Sequence, residues 1–472
     1  MRVLLTSPPQ PTHSILPEKI KPFHRILRWI GGNKTILGLQ PPYGLLYLSV
    51  YLKRKNHTVV VKDGLISSSA SIVNEIKKNQ IDIVGISSVS WNWHEAKLLA
   101  YLLKNLFPSI KIAIGGAHVN SEQKNVLKEC SCFDYAFYGD AEESFCKLVT
   151  DLTSKKEPEV MEGFAFRDGD AIIGSEVNSV INDLNGMLFP DRDSLGFDNY
   201  RPSPLYYRKL PFTAIFGSRG CPYKCTFCHT DPHVRMRSPG NIVEEVVFLQ
   251  NKYGIKEVTF YDDTFTLRKS RILKLCDLFL KKGIKLSWSA SVRVDTVDKE
   301  MLTQMKKAGC WRLLLGIESG SQRLLDKLKK RITIDQTRYA VDLIRNSGIQ
   351  TSGMFMFGIP TETYEEGLKT IKFMKDIKLD YINVCNLTPF PGTNIYKEVV
   401  NESGFKGFER MNMFDIAYLP TSMNESQLTK LIRKSTREFY LRPSYIFRQI
   451  MNIRSFGDIL RYIRGMLIVF LK

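Results

Sequence analysis

Short runs of β-branched and aliphatic residues alternate with amphipathic stretches over the first 150 residues, the pattern of an open, doubly wound parallel sheet with helices on both faces. The strands expected from these runs are Arg2–Ser7, Thr58–Asp63, Asp82–Ser88, Lys111–Gly116 and Asp134–Gly139. Several are continuous Val/Ile segments of the kind buried on both faces. Leu45, Leu48, Ser49 and Leu52 recur at helical spacing behind Pro41-Pro42-Tyr43-Gly44, and a second helix is expected from His94 to Leu106. From Leu152 to Leu210 the pattern is irregular and broken by Pro190, Pro202 and Pro204, so residues 151–210 read as a linking segment.

A second alternating series starts after Pro211. Its strands fall near Thr213–Gly217, Glu257–Asp262, Leu286–Arg293, Leu313–Glu318, Thr351–Gly358 and Tyr381–Leu387. Six such strand–helix pairs make three-quarters of a TIM barrel over residues 211–390, and in barrels of this kind the chemistry sits at the C-terminal strand ends. Residues 391–472 read as a basic helical region. Between Lys430 and Lys472 there are ten Lys or Arg against Glu438 and Asp458.

With 472 residues, 43% of them hydrophobic, the chain is long enough for two or three domains with cores of their own. No targeting segment is expected at the start, where the apolar run stops at Pro8-Pro9, nor a membrane span near the end, where Met466 to Leu471 is too short. The cytoplasm is therefore the expected compartment. There the nine cysteines are thiols or metal ligands rather than a disulfide framework, and Cys130, Cys132 and Cys146 read as small buried residues. The formal charge of +19 favours anionic partners without choosing among them. No RNA module accompanies it, so nucleic acid is not an expected partner. Phe456, Ile459, Leu460, Ile463 and Leu467 repeat at helical spacing beside Arg454, Arg461 and Arg464, and Lys21, Arg25 and Arg28 flank Trp29. These stretches suit peripheral contact with an anionic membrane at its inner face, or equally packing onto the barrel.

The densest chemistry lies in Arg219-Gly220-Cys221-Pro-Tyr-Lys-Cys225-Thr-Phe-Cys228, directly after the first barrel strand. Three thiolates on one short loop suit an iron-sulfur cubane, leaving one iron without a protein ligand. A zinc knuckle completed by His229 or His233 is the blander reading.

The C-x3-C-x-aromatic-C spacing, with Phe227 at the aromatic position, resembles the hallmark of the radical S-adenosylmethionine (SAM) superfamily. The resemblance covers about Phe212 to Phe390. It implies a [4Fe-4S] cluster on Cys221, Cys225 and Cys228, SAM bound to the open iron and cleaved to a 5'-deoxyadenosyl radical, and an external electron donor of flavodoxin or ferredoxin type. By the same resemblance, Asp262 and Asp263 take the place of the family's Gly-Gly-Glu. Ser289, Ser291 and Arg293, with Glu318, match the ribose and carboxylate contacts. Gly358-Ile359-Pro360-Thr361-Glu362 matches the turn beside adenine. A tight turn and an ordinary junction salt bridge are the plain alternatives for Gly358 and Glu318.

The first domain presents Ser87-Ser88, Gly115-Gly116-Ala117-His118 and Gly139-Asp140-Ala141-Glu142 at its strand ends, where open parallel sheets bind ligands. With Pro41-Pro42-Tyr43-Gly44-Leu45, this order resembles the cobalamin-binding domain fused to many radical SAM enzymes. The Asp-x-His-x-x-Gly loop of classical cobalamin proteins is absent, and His118 is a candidate contact for the nucleotide tail. A purely structural Rossmann-like domain is the plain alternative. The fused architecture is similar to class B methyltransferases, which implies methylation of an unactivated carbon in a small-molecule or lipid substrate. Oxidative cyclisation of the porphyrin-ring cyclase kind, and a non-catalytic cobalamin or cluster sensor, are the other readings.

Overall fold

The computed structural model describes residues 1–9, 40–200, 202, 206–412, 415–451 and 453. The basic stretches at 21–30 and 454–472 lie outside the described residues.

The N-terminal sheet contains β1 (Arg2–Thr6), β2 (Thr58–Lys62), β3 (Ile83–Ser87), β4 (Lys111–Gly115), β5 (Tyr135–Phe137), β6 (Phe164–Asp168) and β7 (Ala171–Gly174), in the order β2-β1-β3-β4-β5-β6-β7. The first five are parallel. Leu4 pairs with Val84, Val84 with Ile112, and Ile114 with Ala136. All are buried, as strands covered on both faces require. The intervening helices are Tyr43–Arg54, Ser69–Asn79, Trp93–Leu106, the short Ala117–Glu122 and Asn125–Glu129, and Glu142–Thr153.

The strands β6 and β7 give part of the irregular linking segment over 151–210 a regular structure that the sequence pattern did not predict. They form an antiparallel hairpin that extends the first sheet beyond β5. Their short, half-polar sequence, with every second residue of β7 exposed, carries little of the signal that the central strands show. The segment also carries three short 3-10 turns.

The second sheet is parallel throughout. Its strands are β8 (Phe212–Ile215), β11 (Glu257–Phe260), β12 (Ser287–Val292), β13 (Cys310–Glu318), β14 (Gln350–Phe357) and β15 (Tyr381–Asn386), adjacent in chain order. This is the expected open three-quarter barrel. Between β8 and β11 lies a two-stranded antiparallel ribbon, β9 (Ser218–Arg219) with β10 (Arg235–Met236). The following helix Pro239–Tyr253 shows why these junctions are sharp. Ser238 caps its start, Pro239 occupies the first turn, and Gly254 ends it in the left-handed region. Helix Glu425–Tyr440 packs along the last barrel strands. Leu431 fills the space a side chain at Gly367 would take, and Tyr440 Oη donates to Ile382 O at 2.7 Å.

Buried polar groups join the two sheets. Tyr43 Oη accepts from Ala214 N at 2.9 Å, and Arg192 donates to Ala214 O at 2.9 Å and to the fully buried Glu245 at 2.8 Å. Tyr43 of the first helix and Arg192 of the linking segment are thus tied to the first barrel strand, and Arg192 also to the helix Pro239–Tyr253.

Candidate active site

The cysteine loop hangs between β9 and β10. Cys221 N donates to Asp231 O at 2.8 Å across its neck. Gly220 has φ +88°, and a Cβ there would lie 2.4 Å from His233 O, so this neck needs glycine. Farther along, Thr226 N donates to Leu328 O at 3.0 Å and Thr226 O accepts from Ile395 N at 3.0 Å. The loop is thus seated on the barrel mouth on two sides.

The three thiols lie in one another's electrostatic field. Burial pushes the Cys225 thiol up, against the lowering effect of Lys330 and Arg293. Cys228 is accessible but crowded, and desolvation by its neighbours, then Asp263, moves it up to about 11. Cys221 Sγ is 3.8 Å from Thr264 Oγ1. Among the described residues no three His, Cys, Asp or Glu side chains are gathered for a single metal ion. His229 Nδ1 instead meets Ser121 Oγ at 3.0 Å, and His233 is exposed beside Asp231. Soft sulfur donors on one loop, with two cations to offset thiolate charge, fit an iron-sulfur cluster.

The strand ends around this loop divide into two groups. Arg293 is fully engaged. Its guanidinium stacks 3.6 Å from the Tyr223 ring centroid, bonds both oxygens of Asp295 at 3.0 Å, donates to Lys330 O at 2.8 Å, and reaches Cys225 Sγ at 4.0 Å. Asp262 is buried and accepts from Gly217 N at 2.7 Å and Ser218 Oγ at 2.6 Å, fixing the turn that launches the cysteine loop. Ser289 is buried and bonded to Thr259. Gly358, at φ +85°, donates to Glu362 Oε2 at 2.6 Å and closes the Gly-Ile-Pro-Thr-Glu turn. These side chains shape the site from behind. At the rim itself stand the exposed Asp263, the half-buried Ser291, Phe227 and the pair Glu318–Lys330.

Lys330 was not singled out by the sequence pattern. It is the middle of Lys329-Lys330-Arg331, a run that reads as solvated charge. Both flanking residues have positive φ, and this kinked path turns Lys330 inward, 2.6 Å from Glu318 Oε1 and 5.7 Å from the Phe227 ring. Tyr223, the platform for Arg293, was missed likewise.

In the N-terminal domain an open cavity of ≈ 230 Å³ lies at the C-terminal ends of β3, β4 and β5. Ser87, Gly115, Gly116 and Gly139 line it, together with Gly44, Leu45 and Leu48 of the first helix. The strand ends carry glycine and serine at these positions. Gly116, at φ +103°, passes so close to Ser88 that a Cβ would lie 2.4 Å from its carbonyl oxygen. Ser88 and His118, expected at this site, are not in the lining. Ser88 Oγ turns to Asn92 Oδ1 at 2.9 Å. The His118 ring is buried, 4.6 Å from the Trp93 ring and edge-on to Phe408, and burial lowers its pKa to about 4. A concave glycine-rich site at strand ends fits a large flat cofactor with a tail. Its far wall is Arg219, two residues before Cys221. The cavity thus extends to the strand that leads into the cysteine loop.

Two family models match the chain, the B12 binding domain over residues 31–149 and the radical SAM superfamily over 215–374. An uncharacterized methyltransferase of Pyrococcus horikoshii is 32% identical over 446 residues, spanning 93% of this chain and 96% of the relative. The anaerobic magnesium-protoporphyrin IX monomethyl ester cyclase of Rubrivivax gelatinosus is 26% identical, spanning 93% and 80%. Among solved structures, the cobalamin-dependent SAM radical enzyme OxsB, with aqua-cobalamin and SAM bound, superposes with a TM-score of 0.70 at 17% identity, covering 99% of this chain and 72% of that one. With its cysteine loop on an open parallel barrel and a glycine-lined cavity against that loop, this chain belongs to the radical SAM superfamily and carries the B12-binding domain of its cobalamin-dependent members.

Proposed function

We propose that this protein is a cobalamin-dependent radical SAM methyltransferase acting on an unactivated carbon of a small-molecule or lipid substrate. The observation that carries this reading is that the cavity is bounded by the strand entering the cysteine loop. Arg219 lines the N-terminal cavity and stands two residues from the first cysteine, so the cavity reaches the strand that leads into the cysteine loop. Cys221, Cys225 and Cys228 would hold the cluster, and Ser87, Gly115, Gly116 and Gly139 would cradle the corrin and its tail. When bound, the cluster and SAM supply a carbon radical and the corrin a transferable methyl group.

The chain's own residues position these groups. Arg293 braces Cys225 through Tyr223 and Asp295, and Asp262 holds Gly217 and Ser218 so that the loop leaves β8 in one direction. Asp263, Ser291 and Glu318 offer polar contacts at the rim to the amino, ribose and carboxylate groups of SAM. Electrons would come from an external donor of flavodoxin or ferredoxin type. No helix among the described residues is long and apolar enough to cross a membrane. Ile446, Phe447, Ile450 and Met451 on the last described helix are exposed ahead of the basic end of the sequence, which supports peripheral contact with an anionic lipid surface.

Similarity to a porphyrin-ring cyclase supports a second reading, oxidative ring closure with the same cofactors. Methyl-deuterated SAM separates them. After anaerobic reconstitution, a methyltransferase passes the label to the corrin and to product. A cyclase forms 5'-deoxyadenosine with the label retained in methionine.

A further inference from the structure

The cysteine loop is pinned to the corrin-side domain by ion pairs. Arg219 forks across two carboxylates that follow β5, with Nη1 at 2.5 Å from Asp140 Oδ1 and Nη2 at 2.6 Å from Glu142 Oε1. Arg235, at the other end of the loop, also pairs with Asp140 and reaches Asp231 at 2.9 Å and Ile181 O at 2.7 Å. Asp140 Oδ2 additionally accepts from Ile181 N at 2.9 Å. These groups are largely buried, so the pairs are little screened. Burial alone would raise the Asp140 carboxyl, but Arg219, the Ile181 amide and Arg235 together hold it below the usual range. The same Asp140, Glu142 and Arg219 line the N-terminal cavity.

We propose that Asp140 and Glu142 are positioning residues for the cysteine loop, and that through Arg219 they couple occupancy of the corrin cavity to retention of the cluster. A ligand filling the cavity packs against the three side chains that hold the loop's first strand. A loop held in place completes the cavity wall. Linkage then requires each site to strengthen the other by the same factor. This inference rests on the cofactor assignment above.

The test uses the full chain, cluster-free and anaerobically cluster-loaded, titrated with hydroxocobalamin, together with the rate at which a chelator strips iron with and without the corrin. In the wild type, cluster loading should tighten corrin binding about fivefold or more, and corrin should slow iron loss measurably. In the Asp140→Asn/Glu142→Gln variant both ratios should fall to about one. Glu142→Asp, which keeps both charges, should retain most of the effect. Should the double variant fold poorly, Arg219→Lys serves the same purpose, keeping the charge while losing the fork, and should reduce both ratios. Ratios near one in a wild type that binds both cofactors would overturn the coupling alone. Unchanged ratios in the double variant would overturn the role of these carboxylates. A wild type that binds no corrin, or no iron, would overturn the cofactor assignment and this inference with it.

Discussion

Lys330 Nζ stands 2.6 Å from Glu318 Oε1 at the barrel mouth, both side chains buried, with Glu318 in the left-handed region at φ +69° where β13 breaks register with β14. A buried pair of this kind is costly to break from one side, because the remaining charge is stranded.

Lys330→Met should therefore destabilise the protein by about 3 kcal/mol, measured by chemical denaturation of the cluster-free chain. Adding Glu318→Gln should restore a good part of that loss. If Lys330→Met alone is neutral, the pair does not hold the mouth together.

Arg293→Lys keeps the charge near Cys225 but loses the stack on Tyr223 and the fork on Asp295. Its loaded form should release iron to a chelator about tenfold faster than wild type, the equivalent of about 1.4 kcal/mol. An unchanged rate would show that the loop does not depend on this brace.

His118 provides a pH test. Burial lowers its folded pKa to about 4 from an ordinary 6.5, so the unfolded chain binds the proton first as pH falls. Its contribution to stability is fully present above pH 6.5 and is lost as pH drops through the folded value, by at most about 3 kcal/mol. His118→Gln should flatten the stability curve between pH 6.5 and 4, relative to wild type. A variant with the same slope would place the acid sensitivity elsewhere.

The parallel strands of both sheets were legible in the sequence because strands buried on both faces must be continuous apolar runs, as Ile83–Ser87 and Leu313–Leu315 are. The cysteine triplet was legible because cluster ligation demands sulfur at fixed spacing. The hairpin of β6 and β7 was not, since an edge pair with one wet face leaves only weak alternation. Nor were Lys330 and Tyr223 legible, since their roles come from chain reversals that bring a polar loop over the barrel. Of the expected strand-end residues, Asp262 and Ser289 are buried and their side chains point into supporting hydrogen bonds. Position along a strand specifies which end a residue occupies, and only packing decides whether it faces ligand.

On the proposed reading, Cys221, Cys225 and Cys228 hold a cluster that cleaves SAM. The direct measurement is 5'-deoxyadenosine formed by the anaerobically reconstituted, chemically reduced protein, with iron counted on the same sample. The wild type should carry about four irons per chain and form 5'-deoxyadenosine, whereas Cys225→Ala should do neither. A Cys225→Ala protein that cleaves SAM at the wild-type rate, or a fully loaded wild type that never cleaves it, would contradict the account.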